Sequence, residues 1–411
     1  MSPLSVPLVD MKTNRKLDAL FLGALVLLAV LARAAGWRDE TNDMRIFFMW
    51  YHQLDGGWRA IGDEVGNYNA PFVYLLAFLH LVPGALIFKI KAVFVLFDVV
   101  LALYTYKIVG LKFSGRRVPV AAAVLVVLLP TVVINASLWG QMDAMWAAPA
   151  LAGLYYLLRD RPAAAVAMCT AAILIKPQGI FLFPLLLLFA LAGRLPWRTW
   201  LVAPAVFLAA DLPAIIAGRN PVELLTIYDV GRQAHQVTAL TYRAPTIYAF
   251  VPAGADDGSF RTLGVVLAVA AALGVCWLVI ARGGGLGHDR VITLAAVFAI
   301  GLPFLLPGMH ERYFFLADVL TVLLAVHRPR LWFVPLLVQA GSLLAYAPYL
   351  LGRSLFPLEV PAALMLVALV AVGYRLVADV TARDADDLLA ELAELSYPAA
   401  DRPELLPAHR V

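Results

Sequence analysis

Residues 71–84 read P-F-V-Y-L-L-A-F-L-H-L-V-P-G, an apolar run shorter than the about twenty residues that a bilayer-crossing helix needs. Pro83 interrupts it, and Lys89 and Lys91 follow. Whether this stretch crosses decides the side on which every later loop falls. Placed as an interfacial or re-entrant helix on the outer side, it brings six basic groups to one face: Lys12/Arg15/Lys16, Lys107/Lys112/Arg116/Arg117, Arg159/Arg161, Arg194/Arg198, Arg282/Arg290 and Arg328/Arg330. That is the pattern expected of cytoplasmic loops, which carry the excess of Lys and Arg. Both termini are then expected to be cytoplasmic.

Working outward, apolar segments centre near Leu27, Val100, Val126, Leu151, Ala167, Leu185, Val206, Ala270, Ala296, Leu320, Val338 and Ala368. The fold expected is an all-α polytopic membrane protein of about twelve transmembrane helices. Residues 1–377 form its membrane domain, and residues 378–411 form a cytoplasmic tail whose apolar spacing predicts a short amphipathic helix. Composition agrees: 62% hydrophobic and 15% charged residues over 411 positions, with a mean hydropathy of +0.83, against about 25% charged in soluble proteins. The net charge of +4 is spread without any basic stripe, so no nucleic-acid partner is expected. Cys169 and Cys276 lie in apolar runs and suggest packing rather than a disulfide framework. The run from Leu17 follows basic residues without a small-residue cleavage site, which predicts a retained signal-anchor in the inner membrane.

The polar clusters that look chemical fall on the outer side of this topology. The first loop reads G-W-R-D-E-T-N-D-M-R-I-F-F-M-W-Y-H-Q-L over residues 36–54. Thr41 or Asn42 can cap a helix there, and helical spacing puts Asp43 on one face with Phe47, Trp50 and Leu54. A carboxylate at the lip of an apolar surface is partly desolvated and suits a general base; acids also favour helix N-termini for purely structural reasons. P-G-M-H-E-R-Y sets His310, Glu311 and Arg312 side by side at a span boundary. His and Arg can hold phosphate oxygens, although a snorkelling arginine beside an incidental histidine would read the same. N-A-S-L-W-G-Q-M-D-A-M-W and I-K-P-Q-G supply Asn135, Gln141, Asp143, Lys176 and Gln178, residue types that either contact sugars or anchor an interface. The long loop 218–260 carries Tyr228, Arg232, Gln233, His235, Tyr242 and Arg243. Asp98, Asp211 and Asp318 lie inside spans, where an acid is either functional or hydrogen-bonded to a neighbouring helix. G-G-G-L-G near Gly285 follows no strand and is not a phosphate loop. No metal constellation closes and no cofactor motif is present.

At these residues the chain resembles the GT-C superfamily of polyprenyl-phosphate-sugar-dependent glycosyltransferases, especially the glucosyltransferases that build lipid-linked oligosaccharides and their bacterial relatives. The likeness lies in Asp43 seven residues ahead of Trp50, in Tyr68-Asn69-Ala70-Pro71-Phe72, in Asp98, and in His310-Glu311-Arg312. Arg45 stands where a second acid is common in the family. The resemblance implies an inverting transfer of a hexose on the outer membrane face, from a polyprenyl-phosphate donor to a glycan or glycolipid acceptor, with no metal or other cofactor. It implies Asp43 as base, with His310, Glu311, Arg312, Arg45, Gln141, Asp143, Lys176, Gln178, Tyr242 and Arg243 as the candidate substrate contacts. Competing readings are a lipid or solute transporter or flippase, and an O-antigen-type polymerase or ligase. A transporter would place its site near the midplane between repeats, and no repeat is visible.

The topology carries its own test. A reporter fused after Gly115, Arg161 or Arg328 should report the cytoplasmic side, and one in the Gly254 region the outer side; a cytoplasmic signal at Gly254 would overturn the outer-face assignment.

Overall fold

In the computed structural model, residues 71–84 fold as helix Ala70–Phe78 and a tight turn of helix Leu79–Leu81, well short of a crossing. Asn69 caps the helix with its side-chain oxygen on the Ala70 N–H, and Pro71 sits in the first turn, where its missing N–H costs nothing. The structure describes residues 15–229, 239–252, 257–282 and 285–396. Lys12, Arg232, Gln233, His235, Gly254, Gly283, Gly284 and the tail beyond residue 396 lie outside the described residues.

The described chain is helical almost throughout. Each of the twelve expected centres lies in a helix, but length and apolar composition qualify only five to cross: Trp197–Ile216, Gly258–Ala281, His288–Leu305, Pro329–Leu351 and Glu359–Thr381. Helix Arg117–Leu128 joined to Pro130–Trp139 makes a sixth if a 52° bend is allowed. The bend has a local cause. Pro130 offers no N–H, and Leu129 before it is driven to φ −54°, ψ 129°. Helix Leu86–Val109 has 24 residues but carries Lys89, Lys91, Asp98 and Lys107. The remaining expected spans correspond to helix Arg15–Ala35, of 21 residues, and to shorter helices, Pro162–Ile175, Pro177–Leu191 and Phe315–His327, together with Asp143–Leu158.

The chain divides into two units. The first contains residues 1–155, 167–179 and 203–233; the second contains 156–166, 180–202 and 234–411. In the first, helix Asn42–Gln53 turns Met44 and Phe47 inward. The Phe47 ring meets Phe72 at 5.3 Å, Trp50 at 5.6 Å and Phe94 at 6.0 Å, so the first loop is packed onto helix Leu86–Val109. Lys91 Nζ donates to the carbonyls of Gly36 at 2.8 Å and Asp39 at 2.6 Å and ties down the entry to that loop. Arg33 pairs with Asp98 at 2.7 Å, both side chains buried, and also donates to the Val127 carbonyl at 3.0 Å. One guanidinium thereby joins helices Arg15–Ala35, Leu86–Val109 and Arg117–Leu128. Removing either partner of such a pair costs about 3–5 kcal/mol, because the other charge is left buried.

In the second unit, loop ends gather at one end. Arg194 pairs with Asp160 and donates to the Leu286 carbonyl at 2.8 Å. His288 meets the Leu158 carbonyl at 3.1 Å, His327 meets Asp289 at 3.0 Å, and Arg328 donates to Asp379 at 2.6 Å. These loops also hold Arg159, Arg161, Arg282 and Arg330, so within this unit the expected basic loops share an end. Helix His288–Leu305 separates them from His310 by about 27 Å, at 1.5 Å per residue. At that far end lies a two-residue parallel pairing, Thr241–Tyr242 with Met309–His310. Ser342 donates to Asp318 at 2.9 Å, which gives Asp318 the cross-helix bond expected of a structural acid. In the first unit the Asp211 carboxylate is buried beside Asn69 and Arg219. Helix Glu359–Ser396 runs unbroken through the expected boundary at 377, so the tail begins as a continuation of the last span.

Candidate functional site

The first unit collects its polar side chains where helix Asn42–Gln53 meets segment 134–143. Thr41 caps the helix, its Oγ1 accepting from the Met44 N–H at 3.3 Å, and its hydroxyl donates to the Trp139 carbonyl at 2.7 Å. Asp43, half-buried in the first turn, is thereby set against Trp139 and Gln141. Trp139 Nε1 donates to Asp43 Oδ2 at 2.9 Å, and Gln141 Nε2 donates to the same oxygen.

Two backbone features make this possible. Residues Ile134–Trp139 form a π-helical turn, a rare conformation concentrated at functional sites. Gly140 then adopts φ 71°, ψ 46°, the left-handed region in which glycine alone is unstrained. A Cβ at residue 140 would run into the Met44 side chain, so glycine also sets how closely this turn approaches the helix that carries Asp43.

Two residues after Gln141, Asp143 sits in a different environment. Its Oδ1 accepts from Lys176 Nζ at 2.6 Å and Trp146 Nε1 at 3.1 Å, and its Oδ2 accepts from Asn135 Nδ2 at 2.7 Å. The Lys176 and Asp143 side chains are only 2% and 1% exposed. Three donors, one of them cationic, satisfy this buried carboxylate. Lys176 also lies 5.8 Å from the Tyr68 ring, which stands edge-on to Trp50 at 5.5 Å. The Tyr228 hydroxyl accepts from the Asn69 N–H at 3.1 Å and donates to the Ile175 carbonyl at 3.1 Å, so the segments holding Tyr68 and Lys176 share one pin. Burial pushes the Tyr228 phenol up, which keeps it a neutral donor.

In the second unit, His310 stacks on Tyr242 with centroids 4.6 Å apart and planes at 10°, and Tyr313 lies 5.2 Å from it. Glu311 Oε2 is 3.8 Å from His310 Nδ1, and Arg312 donates to Glu311 Oε1 at 3.1 Å. Arg243, exposed and bridged to His310, has φ 60°, an uncommon backbone state for a residue with a side chain. A partly exposed imidazole held flat against an aromatic ring, followed by a guanidinium, can bind an anionic oxygen by charge-assisted hydrogen bonds.

Sequence-predicted residues therefore fall into three groups. Asp43 meets Gln141, Asp143 meets Lys176, and His310, Glu311, Arg312, Tyr242 and Arg243 adjoin one another. Arg45 joins none of these: its side chain is 67% exposed and pairs with Glu40 at 2.9 Å. Gln178 is buried, and its Oε1 has no hydrogen-bond partner among the described residues. The sequence reading did not single out Trp139, Gly140 or Trp146. The signal for Trp139 and Gly140 was W-G-Q, a glycine between an indole and an amide at the end of a proline-bent helix; Trp146 lies three residues beyond Asp143, within reach of it on one helix face. Among the described residues no three His, Cys, Asp or Glu side chains form a metal-ligating group. No family model matches the chain, and no curated protein matches it in sequence.

The His310 cluster makes a specific prediction. His310→Ala or Arg312→Ala should weaken binding of a polyprenyl-phosphate sugar about tenfold or more, the scale of one lost charge-assisted hydrogen bond, with the folded protein retained. Full donor affinity in both variants would leave the cluster a structural anchor.

Proposed function

We propose that this chain is an integral-membrane glycosyltransferase of GT-C type. On about twelve membrane helices, it transfers a hexose from a polyprenyl-phosphate donor to a glycan or glycolipid acceptor at the outer face of the cytoplasmic membrane. The observation that carries this reading is the asymmetry between two neighbouring carboxylates. Asp143 is neutralised by Lys176 and deeply buried, whereas Asp43 is half-buried and oriented by two neutral donors on one oxygen. A base needs an oriented carboxylate that an acceptor can reach. Asp43 is oriented by the Trp139 and Gln141 donors on Oδ2 and keeps partial exposure, whereas Asp143 is closed off beside Lys176.

In this mechanism Asp43 takes the proton from an acceptor hydroxyl as that oxygen bonds to the anomeric carbon. The bond from the anomeric carbon to the phosphate oxygen breaks, its electron pair stays on that oxygen, and the lipid phosphate departs. Attack opposite the leaving group inverts the anomeric centre. The leaving group is already an anion-stabilising phosphate, so cationic donors suffice and no general acid is required. In the second unit, the resemblance offers His310 and Arg312 as donors of that kind. Gln141 and Trp139 hold Asp43 in orientation.

Asp43→Asn keeps the shape and most of the hydrogen bonding while removing the proton acceptor. Turnover should fall on the order of a hundredfold to ten-thousandfold, measured as hexose transfer at saturating donor, with donor binding retained. Asp39→Asn and Glu40→Gln should cost much less. Wild-type turnover in Asp43→Asn would remove Asp43 from the chemistry.

A further inference from the structure

Arg243 stands in the left-handed region at φ 60°, where glycine is unstrained and a residue with a Cβ is not. Its neighbours hold it there. Thr241 Oγ1 donates to the Ala244 carbonyl at 3.0 Å, the Thr246 N–H donates to the same oxygen at 2.8 Å, and the Gly308 N–H donates to the Leu240 carbonyl at 2.8 Å. Ala244 is fully buried, and the Tyr248 hydroxyl ties the following turn to the Leu305 carbonyl at 2.7 Å. Strained backbone persists only where its surroundings over-determine it, and it gathers at ligand clamps. Glycine would fit this turn without strain. The Arg243 side chain does not stabilise the fold in return, because it is exposed and meets no carboxylate among the described residues.

Its place in the fold is the His310 cluster. Arg243 and His310 are bridged through the backbone, and bridged residues stand about 4.5–5.5 Å apart at Cα, less than the length of an arginine side chain. The His310 side chain is 37% exposed and stacks on Tyr242, so one anion at the open side of the imidazole is within reach of both residues. Arg312, by contrast, is largely buried and shares its charge with Glu311 at 3.1 Å. Resting on the glycosyltransferase reading above, we infer that Arg243 is a phosphate-binding residue, kept in a strained conformation for its guanidinium, and that it receives the phosphate of the lipid-linked donor beside His310. Binding is by charge-assisted hydrogen bonds, and no covalent bond forms. Arg243 thereby lowers the stability of its turn and raises donor affinity.

The full-length protein in phosphatidylcholine vesicles tests this, with Arg243→Gly and Arg243→Ala compared against wild type. Both variants lose the guanidinium, but only glycine relieves the backbone. Dissociation constants are measured for a synthetic polyprenyl-phosphate hexose, for the uncharged polyprenol and for inorganic phosphate. Each variant should bind the polyprenyl-phosphate hexose about tenfold or more weakly than wild type, the scale of one lost charge-assisted hydrogen bond, with polyprenol binding unchanged. Arg243→Gly should unfold at or above the wild-type temperature and above that of Arg243→Ala. The inference is overturned if Arg243→Gly keeps wild-type affinity for the lipid-linked donor, if it unfolds below either of the other two proteins, or if only the binding of inorganic phosphate depends on Arg243. Wild-type protein that binds the polyprenyl-phosphate hexose no better than polyprenol would instead overturn the glycosyltransferase reading on which the inference rests.

Discussion

Lys176 and Asp143 meet at 2.6 Å with almost no side-chain exposure, and the polar architecture of the first unit follows from that contact. Two charges taken out of water demand good geometry and further hydrogen bonds for their remaining valences. Asn135 and Trp146 supply them to Asp143, and the Tyr68 ring faces Lys176. Satisfying this pair fixes the start of helix Asp143–Leu158, the π-helical turn that brings Asn135 inward, and the end of helix Pro162–Ile175. Gln141 lies between the turn and the pair, so its position is set from both sides.

The same rule recurs elsewhere in the unit. Arg33 with Asp98, and Lys91 with two backbone carbonyls, each join segments far apart in the chain. In an apolar protein these few ties give direction to packing that hydrophobic contact alone leaves loose. The first unit's buried carboxylates at 98 and 143 are matched to cations, and Trp139 and Gln141 orient the half-buried Asp43.

The sequence made the helical membrane character and the Asp43 face legible, because both depend on local periodicity: Phe47 and Leu54 are buried on the side of helix Asn42–Gln53 where spacing put them. The cap was also legible, with Thr41 taking it. The ion-pair partners were not, since Asp98 finds Arg33 and Asp143 finds Lys176 only through tertiary packing. Arg45 shows the converse: the resemblance implied a substrate contact there, but its exposed side chain pairs with Glu40. The π-helical turn and left-handed Gly140 escaped notice because nothing in W-G-Q fixes a turn type without the Met44 side chain that a Cβ would strike. Apolar runs centre on twelve segments, whereas among the described residues five helices qualify by length and composition, or six with the pair bent at Pro130, because charges interrupt Leu86–Val109 and several of the other helices are shorter.

The central claim is that the chain breaks a sugar–phosphate bond rather than moving a lipid across the bilayer. The most direct measurement follows a polyprenyl-phosphate hexose, labelled in the sugar, in membranes containing the protein and in membranes lacking it. The account predicts protein-dependent appearance of labelled glycoside matched one for one by free lipid phosphate, with the anomeric configuration inverted. Movement of intact donor between leaflets with no release of lipid phosphate would contradict it.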